Sequence, residues 1–269
     1  MKVYVHLGSD QLGDCIAWLP FIDIAREKYG WDVYTNFYYK NLFADSYPNL
    51  KFEIPSFYDK KVVIDVFDRE KPLQWSSAHV LGLDYVEQRP RFNFKKLKKI
   101  PGNTITFSEY GSNYCKSWNN PIGWFKTIQH IKSIGYEPIS VSKEPTLLPN
   151  VIDYTGLDLL DVCNVIYSSS AYIGVSSGLA WLAWVLNIPV IMISGHTKRY
   201  FEFNCDVRLG PSEPTCFGCY NDNKLEVVWE DVWCPHHKGT YRQHECTYTI
   251  THTDVINAVN YVLKNSLKI

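Results

Sequence analysis

Four cysteines in the last third of the chain have the spacing of a metal site. They are Cys216, Cys219, Cys234 and Cys246. The first two form a Cys-x-x-Cys pair, which holds two sulfur atoms close enough for one ion, and the two later cysteines can complete a tetrahedron. Zinc is the commonest metal in closed sites of this kind, and iron accepts the same sulfur ligands. The sequence thus predicts a metal-stapled segment over residues 216–246 and leaves the choice of metal open.

Three histidines lie among these cysteines: His236, His237 and His244. A site of three cysteines and one histidine is conceivable, but four cysteines already supply a complete set of ligands. We therefore expect the histidines to be spectators or exposed loop residues. No general base and no open coordination position is evident, so the expected role of the metal is structural.

A second candidate for chemistry is a carboxylate near the N-terminus, Asp14. A polar turn over residues 8–14 separates an apolar run from the helical pattern that follows it. Asp14 could simply stabilise the helix N-terminus, which is a common role for a carboxylate in this position. It could also act as a general base toward a ligand bound beyond the strand end. The spacing alone leaves both roles open.

Two segments further along the chain could bind a diphosphate. Residues 175–179, with the sequence VSSGL, join a strand-like run to a helical one. Backbone N–H groups at such a helix start attract anions, and Gly178 would allow a phosphate to approach the backbone closely. An ordinary turn with a serine cap fits the same pattern equally well. Lys116 follows another strand-like run and a polar turn, where it is either a phosphate ligand or a surface lysine.

The elements that must position these residues alternate between strands and helices. In the first half, strands are predicted at 3–7, 32–35, 51–54 and 62–66, and helices at 15–29, 40–46 and 75–84. In the second half, strands are predicted at 104–108, 137–141, 171–175 and 189–193, and helices at 122–133, 178–186 and 254–264. Such alternation predicts parallel sheets with right-handed crossovers. We expect an α/β protein with two Rossmann-like domains, 1–100 and 101–269, joined by the polar and basic linker 88–102 and facing a central cleft.

Composition limits the classes of function. The chain has 269 residues, 46% of them hydrophobic, and a net charge of −1, so no global field attracts it to nucleic acid or anionic lipid. No apolar run has the length of a membrane span, and no secretory signal is visible. With 8 cysteines read as reduced or metal-bound, we expect a cytoplasmic protein. The absence of a GxGxxG motif argues against a dinucleotide fingerprint.

These motifs together resemble a known family, the bacterial autotransporter heptosyltransferases, which are inverting glycosyltransferases of the GT-B architecture. The matching stretches are LGDCIAWLP from residue 12, KSWNNP from residue 116, IGVSSGLAWLAW from residue 173, CFGCYND from residue 216 and WCPHHKG from residue 233. They occur in the same order and extend over nearly the whole chain. The resemblance is therefore carried by a specific combination of motifs.

The resemblance implies a role for each motif. Asp14 matches the catalytic base, and Lys116 matches the lysine that contacts the phosphates of the nucleotide sugar. The nucleotide diphosphate is held by the segment that matches Ser177, Gly178 and Leu179. The family's four-cysteine finger holds structural iron, expected as Fe(III), rather than zinc. The implied donor is ADP-heptose, used without Mg²⁺, and the implied acceptor is a serine or threonine hydroxyl of a protein; a homo-oligomer is also expected.

Two alternatives stay open at this point. The same fold could glycosylate another acceptor, such as a glycan or a modified DNA base, and a local basic patch at Arg89, Arg91 and residues 95–99 would suit nucleic acid. The chain could also be a non-catalytic, metal-stapled binding module. Retention of Asp14, Lys116 and the SSGL turn together favours an enzyme.

Overall fold

The structure is a computed structural model that describes residues 1–111, 113–228 and 232–266. The chain divides into two compact units. The first contains Met1–Lys96 together with Tyr200–Phe203, and the second contains the other described residues from Leu97 onward. The short segment Tyr200–Phe203 joins the first unit through a backbone bond, in which the Leu73 N–H donates to the Phe201 carbonyl at 2.8 Å.

The first unit is built on a small parallel sheet. Its elements are β1 (Lys2–Leu7), α1 (Leu12–Tyr29), β2 (Asp32–Thr35), α2 (Lys40–Phe43), β3 (Lys60–Ile64) and α3 (Leu73–Val80). Within the described residues the strand order is β2-β1-β3, and Val5 of the central strand pairs with Thr35 and Val62. The sheet is parallel because α1 returns the chain from the end of β1 to the start of β2. Gly30 ends α1 in the left-handed conformation, at φ 62°, which glycine adopts without steric cost.

Several predictions for this unit need correction. Helix α1 begins at Leu12 rather than at residue 15, because the Cys15 N–H already bonds to the Gln11 carbonyl at 3.0 Å. The strand predicted at 51–54 is reduced to a single parallel bridge between Lys51 and Tyr34. Pro55 follows this stretch and has no N–H group with which to extend a ladder. Strand β3 also begins two residues earlier than predicted.

The second unit contains a larger parallel sheet. Its strands are β4 (Thr104–Ser108), β5 (Glu137–Ser140), β6 (Ile152–Asp153), β7 (Tyr172–Val175), β8 (Val190–Ile193) and β9 (Val207–Leu209). Its helices are α4 (Gly123–Ser133), α5 (Leu159–Tyr167), α6 (Gly178–Val185), α7 (Glu245–Tyr248) and α8 (His252–Ser266). The described strands lie in the order β6-β5-β4-β7-β8-β9, so β4 and β7 are neighbours at the centre. Their carboxyl ends therefore meet at one edge of the sheet.

Four elements of the second unit were not predicted from sequence: β6, α5, β9 and the short helix α7. The two short strands give little signal, because β6 has two exposed residues and β9 has three half-buried ones. Helix α5 did carry a signal, since the side chain of Asp158 caps it by accepting from the N–H groups of Leu160 and Asp161. The closing helix α8 packs Val255, Val259 and others into the core against the sheet. No described helix is long and apolar enough to cross a membrane.

Candidate functional site

Asp14 lies in the first turn of α1, as its third residue, and not at the position that caps the helix. The residue that flanks the helix start is Gln11, whose side chain makes no capping hydrogen bond. The Asp14 carboxylate instead accepts a hydrogen bond at Oδ2 from the Ser9 hydroxyl, at 2.6 Å. Asp14 is half-buried, which leaves its side chain partly accessible from solvent. The local chain therefore holds this carboxylate at the carboxyl end of β1.

Polar groups from neighbouring loops surround Asp14. The Tyr39 hydroxyl donates to the Asp10 carbonyl at 2.8 Å. Burial, with a contribution from the Asp14 carboxylate, raises the pKa of the Cys15 thiol to about 12, and burial raises the pKa of Tyr39 to about 12 as well. Both groups are therefore neutral at physiological pH. Asp65 follows β3 and contacts Gly8 so closely that a Cβ there would lie 2.9 Å from its Oδ2. Sequence reasoning did not single out Asp10 or Asp65.

The turn before α6 has the backbone geometry of an anion site. Ser177 is extended, and its carbonyl accepts from the N–H groups of Ala180 and Trp181 at 3.1 and 3.4 Å. Its side chain makes no capping hydrogen bond, so the structure does not contain the ordinary serine cap that the sequence also allowed. The N–H groups of Gly178 and Leu179 begin the helix and by its geometry have no intrahelical acceptor. Helix starts of this kind bind phosphate.

Lys116 lies close to that turn. It ends a short 3-10 turn, Tyr114–Lys116, that follows β4. Gly111 brings this turn against β7, because a Cβ at Gly111 would lie 3.0 Å from the Lys116 Cβ and 3.6 Å from Cγ2 of Val175. The stem of Lys116 therefore lies beside the end of β7, next to the Ser177 turn. The structure thus brings together the two predicted phosphate-binding segments.

The segment after Lys116 is anchored to the C-terminal region. The Trp118 indole N–H donates to the Ile250 carbonyl at 2.9 Å, and the Asn119 amide donates to the Thr247 hydroxyl at 3.0 Å. Trp118 is buried and packs edge-on against Trp124, with ring centroids 5.2 Å apart. Because Thr247 directly follows Cys246, the lysine turn and the predicted metal segment are held together.

Glu109 is a buried acid at the same sheet edge that sequence reasoning did not identify. It follows β4, and its backbone N–H donates to the Ser142 hydroxyl at 2.9 Å. Among the described residues its Oε2 atom has no hydrogen-bond partner. Burial raises the pKa of Glu109, and the Thr146 side chain, which hydrogen-bonds to the carboxyl, opposes this rise. No local pattern signals the residue, because its burial comes from the loop after β5.

The four cysteines of the predicted metal site lie in one region of the second unit, but their sulfur atoms are not all within 4.8 Å of one another. Burial raises the pKa of the Cys246 thiol, and the nearby thiols of Cys219, Cys216 and Cys234 raise it further. Burial likewise raises the pKa of Cys219 to about 12, with contributions from Cys216 and Cys234. The loop after β8 holds this cluster: Gly195 packs directly on Cys246, and its carbonyl accepts from the Gly218 N–H at 2.8 Å. Four thiols are the type of ligand that zinc or iron takes, but the compact group of ligand atoms among the described residues is Cys216, His237 and Glu245.

The histidines are not all exposed spectators as expected. His244 is buried, with its ring centroid 5.6 Å from that of Tyr114, so it is not an exposed loop residue, and the other expectation, that it is a spectator, stays a prediction. His237 lies with Cys216 and Glu245 in a group whose ligand atoms are all within 4.8 Å of one another. Arg242 fixes Glu245 with a bond of 2.8 Å and lowers the pKa of this carboxylate to about 2. Sequence spacing did not reveal this group.

Comparisons with known proteins add evidence on the class of protein to which this site belongs. No family model matches the chain. Autotransporter heptosyltransferase TibC of Escherichia coli O78:H11 is 28% identical over 96% of this chain and 70% of its own length. Autotransporter heptosyltransferase Aah of Escherichia coli is 28% identical over 96% of this chain and 73% of its own. BimC of Burkholderia thailandensis, named an inactive autotransporter heptosyltransferase, is 28% identical over 65% of this chain and 44% of its own.

A solved structure matches almost the whole chain. The crystal structure of dodecameric iron-containing heptosyltransferase TibC in complex with ADP-D-beta-D-heptose has a TM-score of 0.92 and 26% identity, over 98% of this chain and 77% of that one. Together with the parallel sheets, this match defines the fold as the α/β, GT-B-like fold of heptosyltransferases, and the chain is a glycosyltransferase. Its relatives are the autotransporter heptosyltransferases, which confirms the resemblance seen in the sequence. The central cleft and the four-cysteine metal finger stay predictions.

Proposed function

We propose that this protein transfers heptose from ADP-heptose to an acceptor hydroxyl and inverts the anomeric carbon. The observation that carries this proposal is the match at TM-score 0.92 to a heptosyltransferase structure that contains ADP-D-beta-D-heptose. The placement of Lys116 beside the Ser177 turn, at the ends of adjacent strands, supports it. We further propose that residues 1–100 serve the acceptor and residues 101–269 bind the nucleotide sugar.

The proposed mechanism is a single displacement. Asp14 takes the proton from the acceptor hydroxyl as its oxygen attacks the anomeric carbon, and ADP leaves from the opposite face. Lys116 and the N–H groups of Gly178 and Leu179 stabilise the charge that develops on the leaving diphosphate. These groups supply the charge stabilisation that Mg²⁺ gives in other enzymes, so transfer is expected without added Mg²⁺. One displacement inverts the configuration.

Transfer and donor binding test these roles separately. The Asp14→Asn variant should bind ADP-heptose normally and lose transfer by ~10²–10⁴-fold, because an amide does not accept the proton. The Lys116→Ala variant should weaken ADP binding, whereas Lys126→Ala, on the exposed face of α4, should not. Near-normal turnover of the Asn variant would exclude Asp14 as the base. Equal ADP affinity in both lysine variants would place the diphosphate elsewhere.

The cysteine cluster is proposed to hold structural iron as Fe(III), with zinc as the alternative. Cys216, Cys219, Cys234 and Cys246 would be the ligands. The placement of the four thiols in one region supports this set, and the iron-containing TibC structure favours iron. Bound metal would tie down a segment rich in polar residues. Elemental analysis with a visible spectrum decides, because a ferric tetrathiolate is coloured and a zinc site is colourless; stoichiometric zinc in a protein expressed with ample iron would exclude iron.

A serine or threonine hydroxyl of a protein is the proposed acceptor. The nucleic-acid alternative has less support because part of the basic patch is paired within the fold. Arg91 pairs with the buried Asp23 at 2.5 Å, and Lys99 donates to the Tyr167 carbonyl at 3.1 Å. Transfer of labelled heptose to serine-containing passenger peptides, compared with duplex DNA, tests the acceptor. Labelled DNA with unlabelled peptide would reverse the assignment.

Two further expectations concern the protein as a whole. Because TibC is described as dodecameric, we propose that this chain forms a homo-oligomer, and we propose a cytoplasmic location. Because one relative is named inactive, a non-catalytic role is a second candidate function. Sedimentation measures the assembly. A protein that binds ADP-heptose but neither hydrolyses nor transfers it, to any acceptor tested, would favour the non-catalytic candidate.

A further inference from the structure

Ser9 is the residue whose hydroxyl contacts the candidate base. It lies in the loop between β1 and α1, five residues before Asp14, and is half-buried. Its Oγ donates to Asp14 Oδ2 at 2.6 Å and accepts from the Gln11 N–H at 3.1 Å. A distance of 2.6 Å is in the range of a charge-assisted bond from a hydroxyl to a carboxylate. Ser9 was not among the residues expected to take part in chemistry.

The arrangement differs from a common helix start. In a capping box, the carboxylate at the third helical position accepts directly from the backbone N–H of the capping residue. Here the Ser9 Oγ accepts from the Gln11 N–H, and the Ser9 O–H donates to the Asp14 carboxylate. A serine hydroxyl has one proton, so its orientation is determined once both bonds are made. The carboxylate thereby keeps a fixed rotation, with Oδ2 toward Ser9.

We infer that Ser9 is a positioning residue for the general base: its hydroxyl orients the Asp14 carboxylate and stabilises its ionised form. The inference rests on the proposed role of Asp14. A hydrogen bond donated to a carboxylate favours the charged state, so it keeps the base deprotonated at lower pH. It also restricts the carboxylate to one rotation before the acceptor binds, which lowers the cost of reaching the reactive geometry.

Other titratable groups face this region and must be considered. Cys15 on α1 and Tyr39 near α2 both have a pKa raised to about 12, so neither changes charge near neutral pH. Asp10 lies in the same loop, and Asp65 contacts Gly8 from the end of β3. The two acids are common to every variant proposed below. A change in pH dependence confined to variants of Ser9 therefore reports the lost hydroxyl.

The test compares variants of Ser9 that differ in the hydroxyl alone. Ser9→Thr retains it, Ser9→Val has nearly the same shape without it, and Ser9→Ala removes both hydroxyl and bulk. Ser133→Ala, which removes an exposed hydroxyl on α4, is the matched control. Each full-length protein is assayed for kcat/KM of heptose transfer from about pH 3 to 9, which includes the range where an aspartate titrates, and for ADP affinity and thermal unfolding.

In the Val and Ala variants we expect kcat/KM to fall about tenfold near pH 7 and the acidic limb of the pH profile to move up by about one unit. ADP affinity should be unchanged, and the Thr variant should resemble wild type.

If the Val and Thr variants share one pH profile, Ser9 does not act on the base. If Ala fails to fold, the Thr and Val pair still decides. Should Asp14→Asn keep normal turnover, the base assignment itself fails; an inactive Asn variant with an unmoved acidic limb in Ser9→Val overturns only the inference about Ser9.

Discussion

Replacing Gly195 by alanine should displace the backbone at Cys246 and weaken the metal segment. A Cβ placed on Gly195 would lie 2.5 Å from the carbonyl carbon of Cys246 and 2.7 Å from its Cβ. Carbon atoms in ordinary contact are ~3.5–4.0 Å apart, so the Cys246 backbone or the loop after β8 must move by about 1 Å. The neighbouring atoms belong to the backbone, so they do not yield by a simple change of rotamer.

The size of the effect follows from this displacement. Overpacking of this kind costs ~1–3 kcal/mol, which in a unit of this size lowers the melting temperature by roughly 2–12 °C. Metal sites tolerate ligand shifts of only ~0.2 Å, so a shift of about 1 Å at Cys246 should also reduce bound metal. Thermal unfolding, elemental analysis and the visible spectrum of the purified Gly195→Ala variant measure these effects.

Gly210 offers a matched control. It is exposed, and a Cβ there would lie 3.6 Å from the Ser194 carbonyl oxygen, an ordinary contact. The Gly210→Ala variant should therefore keep its metal and its stability. If Gly195→Ala unfolds at the same temperature as Gly210→Ala and binds as much metal, the packing of the loop after β8 on Cys246 does not organise the segment. If the Gly195→Ala protein keeps its stability but lacks metal, bound metal does not contribute to the stability of the fold.

Two further predictions concern buried carboxylates. Burial raises the pKa of Glu109, so its stabilising contribution is present below the unfolded pKa and is lost as pH rises through the folded pKa. In urea unfolding, Glu109→Gln should thus have a higher free energy of unfolding than wild type at about pH 8, and this advantage should disappear at about pH 4. An equal difference between variant and wild type at both pH values would refute the prediction. Asp23→Ala should cost ~1–3 kcal/mol in the same assay, because the charge-assisted hydrogen bonds from Arg26 and Arg91 to a buried carboxylate are lost, whereas Arg91→Ala should cost ~1 kcal/mol or less. Equal losses in the two variants would contradict this.

Much of the fold was accessible from local sequence patterns. Strands β1, β2 and β4 are short apolar runs, and their predicted bounds match the structure to within one residue. Gly30 and Gly135 both adopt positive φ just after helices, where a glycine ends the helix without strain. The stretch 51–54 misled because an apolar pattern does not reveal whether a partner strand is in reach. The strand β9 was missed because three half-buried residues carry almost no periodic signal.

The candidate site was predicted in part. The sequence selected Lys116 and the Ser177 turn separately, and adjacent parallel strands brought them together because their carboxyl ends share one edge of the sheet. The cysteine pattern predicted a four-sulfur site within residues 216–246, and this site stays a prediction. The Cys216–His237–Glu245 group escaped prediction, because three residues separated by long loops have no characteristic spacing.

The sequence by itself determined the chemistry that is available: a carboxylate after the first strand, a lysine, a glycine-containing helix start and four thiols in a recognisable order. Local steric and hydrogen-bonding rules are sufficient for that, since they act between residues a few positions apart. The tertiary structure alone decided that Glu109 is buried and that Tyr200–Phe203 packs with the first unit. These outcomes depend on how side chains orient and which surfaces exclude water, and both are fixed only when distant segments pack together.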